Sequence, residues 1–238
     1  MQPIERLFKT ELPAFDKDSV YQAVFYADGG AVPNPGFSGF GIHAYFFKEQ
    51  KDTLKKPVII ANHFMEYFNT NPNAVSYSFV TSEGYKAYDQ KTADKFKDKW
   101  VTPVCYFDKT VSFFDPATNN IAELSALEHS FSALEEVLVS GTKLSKVMFI
   151  LDSKYVLETV TKYGDAYRHN GWVTSSGTPA KNREVIEPLL NARDRLKSQG
   201  VKLVFEWVKG HQGDLGNGMA DYQATIGVRR SRAMDNPN

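Results

Sequence analysis

The run VYQAVFYA (20–27) is apolar at nearly every position, the pattern of a strand buried on both faces, and it halts on Asp28-Gly29-Gly30. A Pro/Gly/Asn turn leads into a second apolar run, 36–47, and KTVSFFD (109–115) predicts a third strand. Ile121, Leu124, Leu127, Phe131, Leu134 and Leu138 then recur at spacings of three and four, which predicts an amphipathic helix ended by Gly141. KVMFIL (146–151) reads as a strand covered on both sides, SKYVLETVTKY as a helix, and 164–181 as a Gly/Ser/Thr loop. NREVIEPLLNARDRLKSQG predicts another helix, VKLVFEWV (201–208) a strand, and a last helix begins near Asn217. Three strands followed by alternating helix and strand predict an α/β fold, a mixed sheet with helices packed on it.

Three stretches fit this scheme less well. Residues 1–19 form a mixed leader, and 229–238 (RRSRAMDNPN) read as a flexible tail. Residues 48–108 hold a charged turn, the apolar VIIANHFMEYF, a β-like AVSYSFV and a lysine-rich helical stretch around Lys86–Trp100. This segment is either a subdomain burying its own small core or an extra contact surface, since Lys91, Lys95 and Lys99 align at i+4 spacing.

Composition and charge narrow the class. Among 238 residues, 28 are basic and 28 acidic, so a nucleic-acid partner would have to be met by locally concentrated charge. The single cysteine, Cys105, excludes a disulfide framework and zinc clusters. MQPIERLFKTEL lacks the apolar h-region expected of a signal peptide, and no apolar stretch reaches membrane-spanning length. The sequence therefore predicts a soluble, cytoplasmic protein with no membrane partner.

The chemistry lies in four acids. Asp28 and Asp152 end two strands read as parallel neighbours, so both emerge at the sheet edge where α/β proteins bind ligands. Glu123 shares the helical stripe of Leu127 and Phe131, facing the sheet, and Asp221 lies in the first turns of the final helix. Each alone is more commonly a cap or turn former. Together they need cations, because two carboxylates ~4 Å apart repel by roughly 4 kcal/mol at an effective dielectric of 20. Oxygen-only ligands suit Mg2+ or Mn2+, and two such ions ~3.5–4 Å apart stabilise both the attacking and the leaving oxygen of a phosphodiester displacement.

YADGGAVPNPG…GFG (26–41), TNNIAEL (118–124), LDSKYV (151–156), NGW…KN (170–182) and EWVKGHQGDLGNGMAD (206–221) resemble, in order, the motifs of ribonuclease H of the type 1 class. The resemblance covers roughly 20–47 and 109–228. It implies a ribonuclease H-like fold with a five-stranded mixed sheet, the first three strands antiparallel, flanked by helices. The domain would span 20–228, interrupted by the inserted subdomain at about 48–108. The implied activity is endonucleolytic hydrolysis of the RNA strand of RNA–DNA hybrids with two Mg2+ ions, Mn2+ serving as substitute. By position, Asp28, Glu123, Asp152 and Asp221 look like the metal-binding carboxylates and His211 like the residue that assists proton transfer or product release. Asn34, Asn119 and Asn120 match contacts to the RNA strand, where an amide can meet the 2′-hydroxyl. Thr118 and Asn182 match a pocket for a DNA-strand phosphate, and Tyr155, Tyr163, Tyr167 and Ser175 an aromatic-lined channel for the DNA backbone. The same tyrosines serve equally well as core residues.

Departures from the pattern are informative. Lys154 stands where the family often has Gln, trading a base contact for a phosphate contact. The stretch 164–181 keeps only Arg168, His169 and Lys181 where some members are strongly basic, which predicts weaker, more salt-sensitive hybrid binding. Gly218 stands where an acid is common, predicting a loosely started final helix. The rival readings are a DNA-cutting nuclease of the same superfamily and a non-catalytic hybrid-binding module. The expected partner is the hybrid itself, met by a monomer, with replication or reverse-transcription machinery as its setting.

Overall fold

The computed structural model describes residues 14–49, 76–81, 84–89, 104–211 and 214–235. In chain order come β1 (Val20–Val32), β2 (Phe37–Lys48), β3 (Ser76–Thr81), β4 (Gly84–Asp89) and β5 (Cys105–Ser112). Then follow α1 (Asn119–Val139), β6 (Lys143–Leu151), α2 (Lys154–Glu158), α3 (Gly164–His169), α4 (Arg183–Ser198), β7 (Lys202–Trp207) and α5 (Leu215–Asp235). No helix among the described residues is long and apolar enough to cross a membrane.

Five strands form one mixed sheet in the order β5-β2-β1-β6-β7. β1, β2 and β5 are antiparallel, and β6 and β7 run parallel to β1, as the resemblance implies. β1 is central and is buried from Tyr21 through Asp28, which explains its lack of polar alternation. It does not stop at Asp28. The parallel ladder to β6 ends at Tyr26↔Ile150, while the antiparallel ladder to β2 continues through Asp28↔Gly41 to Val32↔Phe37. β5 begins and ends earlier than the 109–115 expectation because its pairing to β2 runs from Phe46↔Cys105 to Gly39↔Ser112.

Residues 49–104 are thus inserted between two strands that lie side by side. Within them β3 and β4 pair as an antiparallel hairpin, Tyr77 opposite Tyr88. This corrects the helical expectation at its start: Lys86 is a strand residue opposite Phe79. VIIANHFMEYF, Lys91, Lys95, Lys97 and Lys99 lie outside the described residues, as do 1–13 and 236–238.

Alternation along β1 and β2 sends Phe25, Phe40, Ile42 and Phe46 into a core with Leu124, Leu127, Phe131 and Leu134 of α1. The opposite face is covered by α5 at very short range. A Cβ on Gly41 would lie 2.2 Å from the Ala220 carbonyl oxygen, so only glycine there lets the helix seat. α5 also starts firmly rather than loosely. Asp214 caps it, its Oδ1 accepting from Asn217 N at 2.7 Å.

Two further expectations are corrected. The segment 229–235 is helical, because Ser231 is buried and its hydroxyl donates to the Phe113 carbonyl at 2.7 Å. Residues 164–169, expected as loop, continue α2 through a π turn (Thr159–Tyr163) into α3. There Arg193 of α4, buried, donates to the Val160 carbonyl at 2.7 Å and to both Asp165 carboxylate oxygens.

Candidate active site

Parallel pairing of β1 and β6 delivers two acids to one edge of the sheet. Asp28 lies two residues beyond the last paired position of β1, and Asp152 directly follows β6. The third comes from the second turn of α1, whose start is capped by Thr118, Oγ1 accepting from Ile121 N at 3.3 Å. α1 crosses β1 at Gly29, where a Cβ would lie 2.3 Å from the Ala122 carbonyl carbon and 2.4 Å from Glu123 N. That close crossing carries Glu123 to the edge. One carboxylate oxygen each from Asp28, Glu123 and Asp152 then fall within 4.8 Å of one another.

Neighbouring groups hold these acids in place. Asp152 Oδ2 accepts from Asn217 Nδ2 at 3.1 Å, and its carbonyl accepts from Trp207 Nε1 at 2.9 Å. Asp28 accepts from Gly29 N at 2.7 Å. Asp221 follows Asn217 by one turn of α5 and lines the same cleft, of about 600 Å3. His211, on the β7–α5 loop, is exposed in a left-handed conformation (φ 54°), with Nδ1 3.8 Å from Asp221 Oδ2.

Electrostatics mark the cluster as incomplete by itself. Burial, then Asp152 and Asp221, push the Asp28 carboxyl well above its ordinary range, against the Gly29 N–H. Burial raises Glu123 to about 7, opposed by a hydrogen bond from the Ser153 hydroxyl. Asp152 is raised by burial and partly restored by Asn217 and His211. Among the described residues no lysine or arginine pairs with Asp28, Glu123 or Asp152. Buried and half-buried carboxylates that offer only oxygen ligands, with no lysine or arginine partner among the described residues, fit a hard divalent cation.

The other sequence-selected residues fall into separate small groups. Asn119 Oδ1 accepts from Ala31 N at 2.7 Å, and Asn34 Oδ1 accepts from Asn119 N at 3.2 Å. Because backbone N–H groups occupy both oxygens, each amide nitrogen is left to donate. Asn120 is exposed beside them. Tyr155 and Asn182 meet directly, Asn182 Nδ2 donating to the Tyr155 hydroxyl at 3.0 Å. Tyr163 and Tyr167 stack with ring centroids 6.4 Å apart, and Lys154 Nζ lies 4.6 Å from the Trp207 ring centroid. Ser175 is exposed in a loop closed by the Val173–Pro179 bridge, and no contact among the described residues joins it to the tyrosines.

Sequence reading missed Asn217, Ser153 and two arginines of the cleft wall, Arg229 and Arg232. Asn217 had a usable signal: it sits four residues before Asp221, on the same helical face.

A profile of the RNase H family matches residues 90–229, more than half of the chain. The ribonuclease H of Treponema pallidum is 36% identical over 116 residues, 49% of this chain and 63% of its own length. That of an Acidovorax species is 36% identical over 114 residues, 48% of this chain and 70% of its own. The chain thus spans 63–70% of these curated relatives. LC9-RNase H1, a type 1 RNase H with the type 2 active-site motif, superposes with a TM-score of 0.53. It is 17% identical, over 93% of this chain and 76% of that one, a likeness of fold. The profile match contains Glu123, Asp152, His211 and Asp221; Asp28 precedes it and joins them through the β1–β6 pairing.

Proposed function

The chain belongs to the RNase H family, and from that membership we propose that it is an endonuclease cutting the RNA strand of RNA–DNA hybrids. The observation that carries this is the convergence of Asp28, Glu123 and Asp152 within 4.8 Å, with Asp221 on the same cleft. Two Mg2+ ions, with Mn2+ as substitute, would be held by these four acids and would supply charge stabilisation to the attacking water and the leaving oxygen. The reaction adds water across the phosphodiester: the P–O3′ bond breaks, leaving a 3′-hydroxyl and a 5′-phosphomonoester.

The chain's own residues do the rest. Asp28 is 7% exposed, shielded from bulk water by the packed elements around it, so its counter-charge would come from a bound cation. Asn217 keeps Asp152 turned into the cleft. His211 is exposed and within reach of Asp221, so it can accept a proton from the attacking water and release it to solvent. Asn119 lines the cleft with the carboxylates and Asn34 accepts from its backbone N–H, so their amide N–H groups are suited to donate to a ribose 2′-hydroxyl oxygen, which DNA lacks. Asn120 extends that row. Thr118 with Asn182, and Lys154, Tyr155, Tyr163, Tyr167 and Ser175, would follow the DNA strand.

Labelled-strand cleavage of RNA–DNA, RNA–RNA and DNA–DNA duplexes tests the assignment. Only the hybrid is expected to be cut, only in its RNA strand, and not in EDTA. Asp28→Asn is expected to abolish cleavage while the protein still folds; a variant that still cleaves overturns the reading. Cutting of DNA duplexes, or hybrid binding without cleavage, would instead support the two rivals.

A further inference from the structure

The cleft has two electrostatic ends. At one are the carboxylates; at the other are Arg229 and Arg232, the permanently charged cations among its described lining residues. Both stand on α5, in the part of the chain whose composition reads as a tail. Asp221, Thr225, Val228 and Arg232 follow one another at helical spacings of four, three and four, with Arg229 one turn beyond Thr225. A single face of α5 therefore runs from the acid cluster to the arginines, about 12–16 Å at 1.5 Å per residue.

The scaffold under this face is rigid. Gly227 lies against β5 and β2 so closely that a Cβ would meet the Val111 carbonyl oxygen of β5 at 2.4 Å and the Gly39 Cα of β2 at 3.2 Å. Ser231, between the arginines, is buried, donating to the Phe113 carbonyl and accepting from Ser38 N at 3.3 Å. The Arg232 guanidinium stands 5.5 Å from the Phe37 ring centroid, which orients its plane. Arg229 and Arg232 have no acidic partner among the described residues.

We infer that Arg229 and Arg232 form a phosphate-binding subsite for the backbone of the RNA strand, beyond the phosphate at the cut. At about 12–16 Å from Asp221 along α5, the two guanidinium groups stand too far from the carboxylates to meet the reacting phosphate and so face its neighbours in the strand. The inference rests on the proposed hybrid substrate. A guanidinium fork matches a phosphate with two parallel N–H···O bonds, and a pair of them supplies the positive charge that the chain, neutral overall, must concentrate locally. Continuity of the cleft assigns these contacts to the strand that passes over the carboxylates, hence to RNA.

The test compares the full chain with Arg229→Gln/Arg232→Gln on one RNA–DNA hybrid between about 50 and 200 mM NaCl. Loss of two phosphate contacts lowers the slope of log K against log salt by about 2, and KM rises about tenfold at the higher salt with kcat within about twofold. Arg229→Lys/Arg232→Lys keeps the charge and is expected to restore the slope but only part of the KM. Should the double Gln variant fail to fold, each single variant, expected to lower the slope by about 1, decides. An unchanged slope in a variant that folds overturns the subsite and leaves the nuclease assignment standing; so does a fall in kcat alone. A parent chain that neither binds nor cuts the hybrid overturns both.

Discussion

Glu123 and Gly29 show how single residues set the site. Gly29 has no side chain, so α1 crosses β1 in contact with its backbone, and Glu123 is thereby driven to a place where burial raises it to about 7. The sign of the consequence is fixed. The ordinary glutamate value is 4.5 and the folded value about 7, so between them the folded state holds a proton that the unfolded state has lost. In EDTA, folding stability is expected to fall as pH rises from about 5 through 7, by roughly 3 kcal/mol for this residue. Asp28 and Asp152, also raised, add to the same direction. Urea unfolding at several pH values measures it, and Glu123→Gln should flatten the profile; an equally steep profile in that variant would assign the effect elsewhere.

At the scale of elements, α5 matters most, because it carries Asp221, Asn217 and both arginines. Its seat against the sheet includes a buried polar joint. Asp108 Oδ1 of β5 is the shared acceptor for His43 Nδ1 of β2, at 2.5 Å, and Gln223 Nε2 of α5, at 2.7 Å. Thr110 closes the joint by donating to Gln223 Oε1. Asp108→Ala removes the acceptor that both donors share, and a loss of about 3 kcal/mol or more is expected in thermal or urea unfolding. Gln223→Ala leaves the His43–Asp108 pair intact and should cost about 1–2 kcal/mol. Equal costs would show that the joint does not hinge on Asp108. This joint left no trace in sequence patterns, since its partners are 65 and 115 residues apart and polar residues in strands are ordinarily read as solvent-facing.

Over the whole molecule, the four acids belong to β1, α1, the end of β6 and α5, so a divalent cation would tie together both helical layers and the sheet. Binding restricted to the folded state adds about 2.7 kcal/mol at one hundred times Kd. Saturating Mg2+ is thus expected to raise Tm by roughly 5–10 °C, reversed by EDTA. Calorimetry reads this directly, and an unchanged Tm would argue against a cation site.

Local periodicity made the central elements readable without a structure. Buried runs such as KVMFIL and the three-four spacing from Ile121 to Leu138 are set by which faces are covered, and the strand-end position of Asp152 and the turn position of Asn34 travel with them. What periodicity could not reach depends on contacts between distant segments. β1 passes Asp28 because β2 keeps pairing with it, 229–235 is helical because Ser231 bonds Ser38 of β2 and the Phe113 carbonyl just past β5, and Lys86 is a strand residue because β3 lies opposite. The arginine wall belongs with these: its residues were plain in the chain, but only the seating of α5 on glycine-lined strands places them across the cleft from the carboxylates.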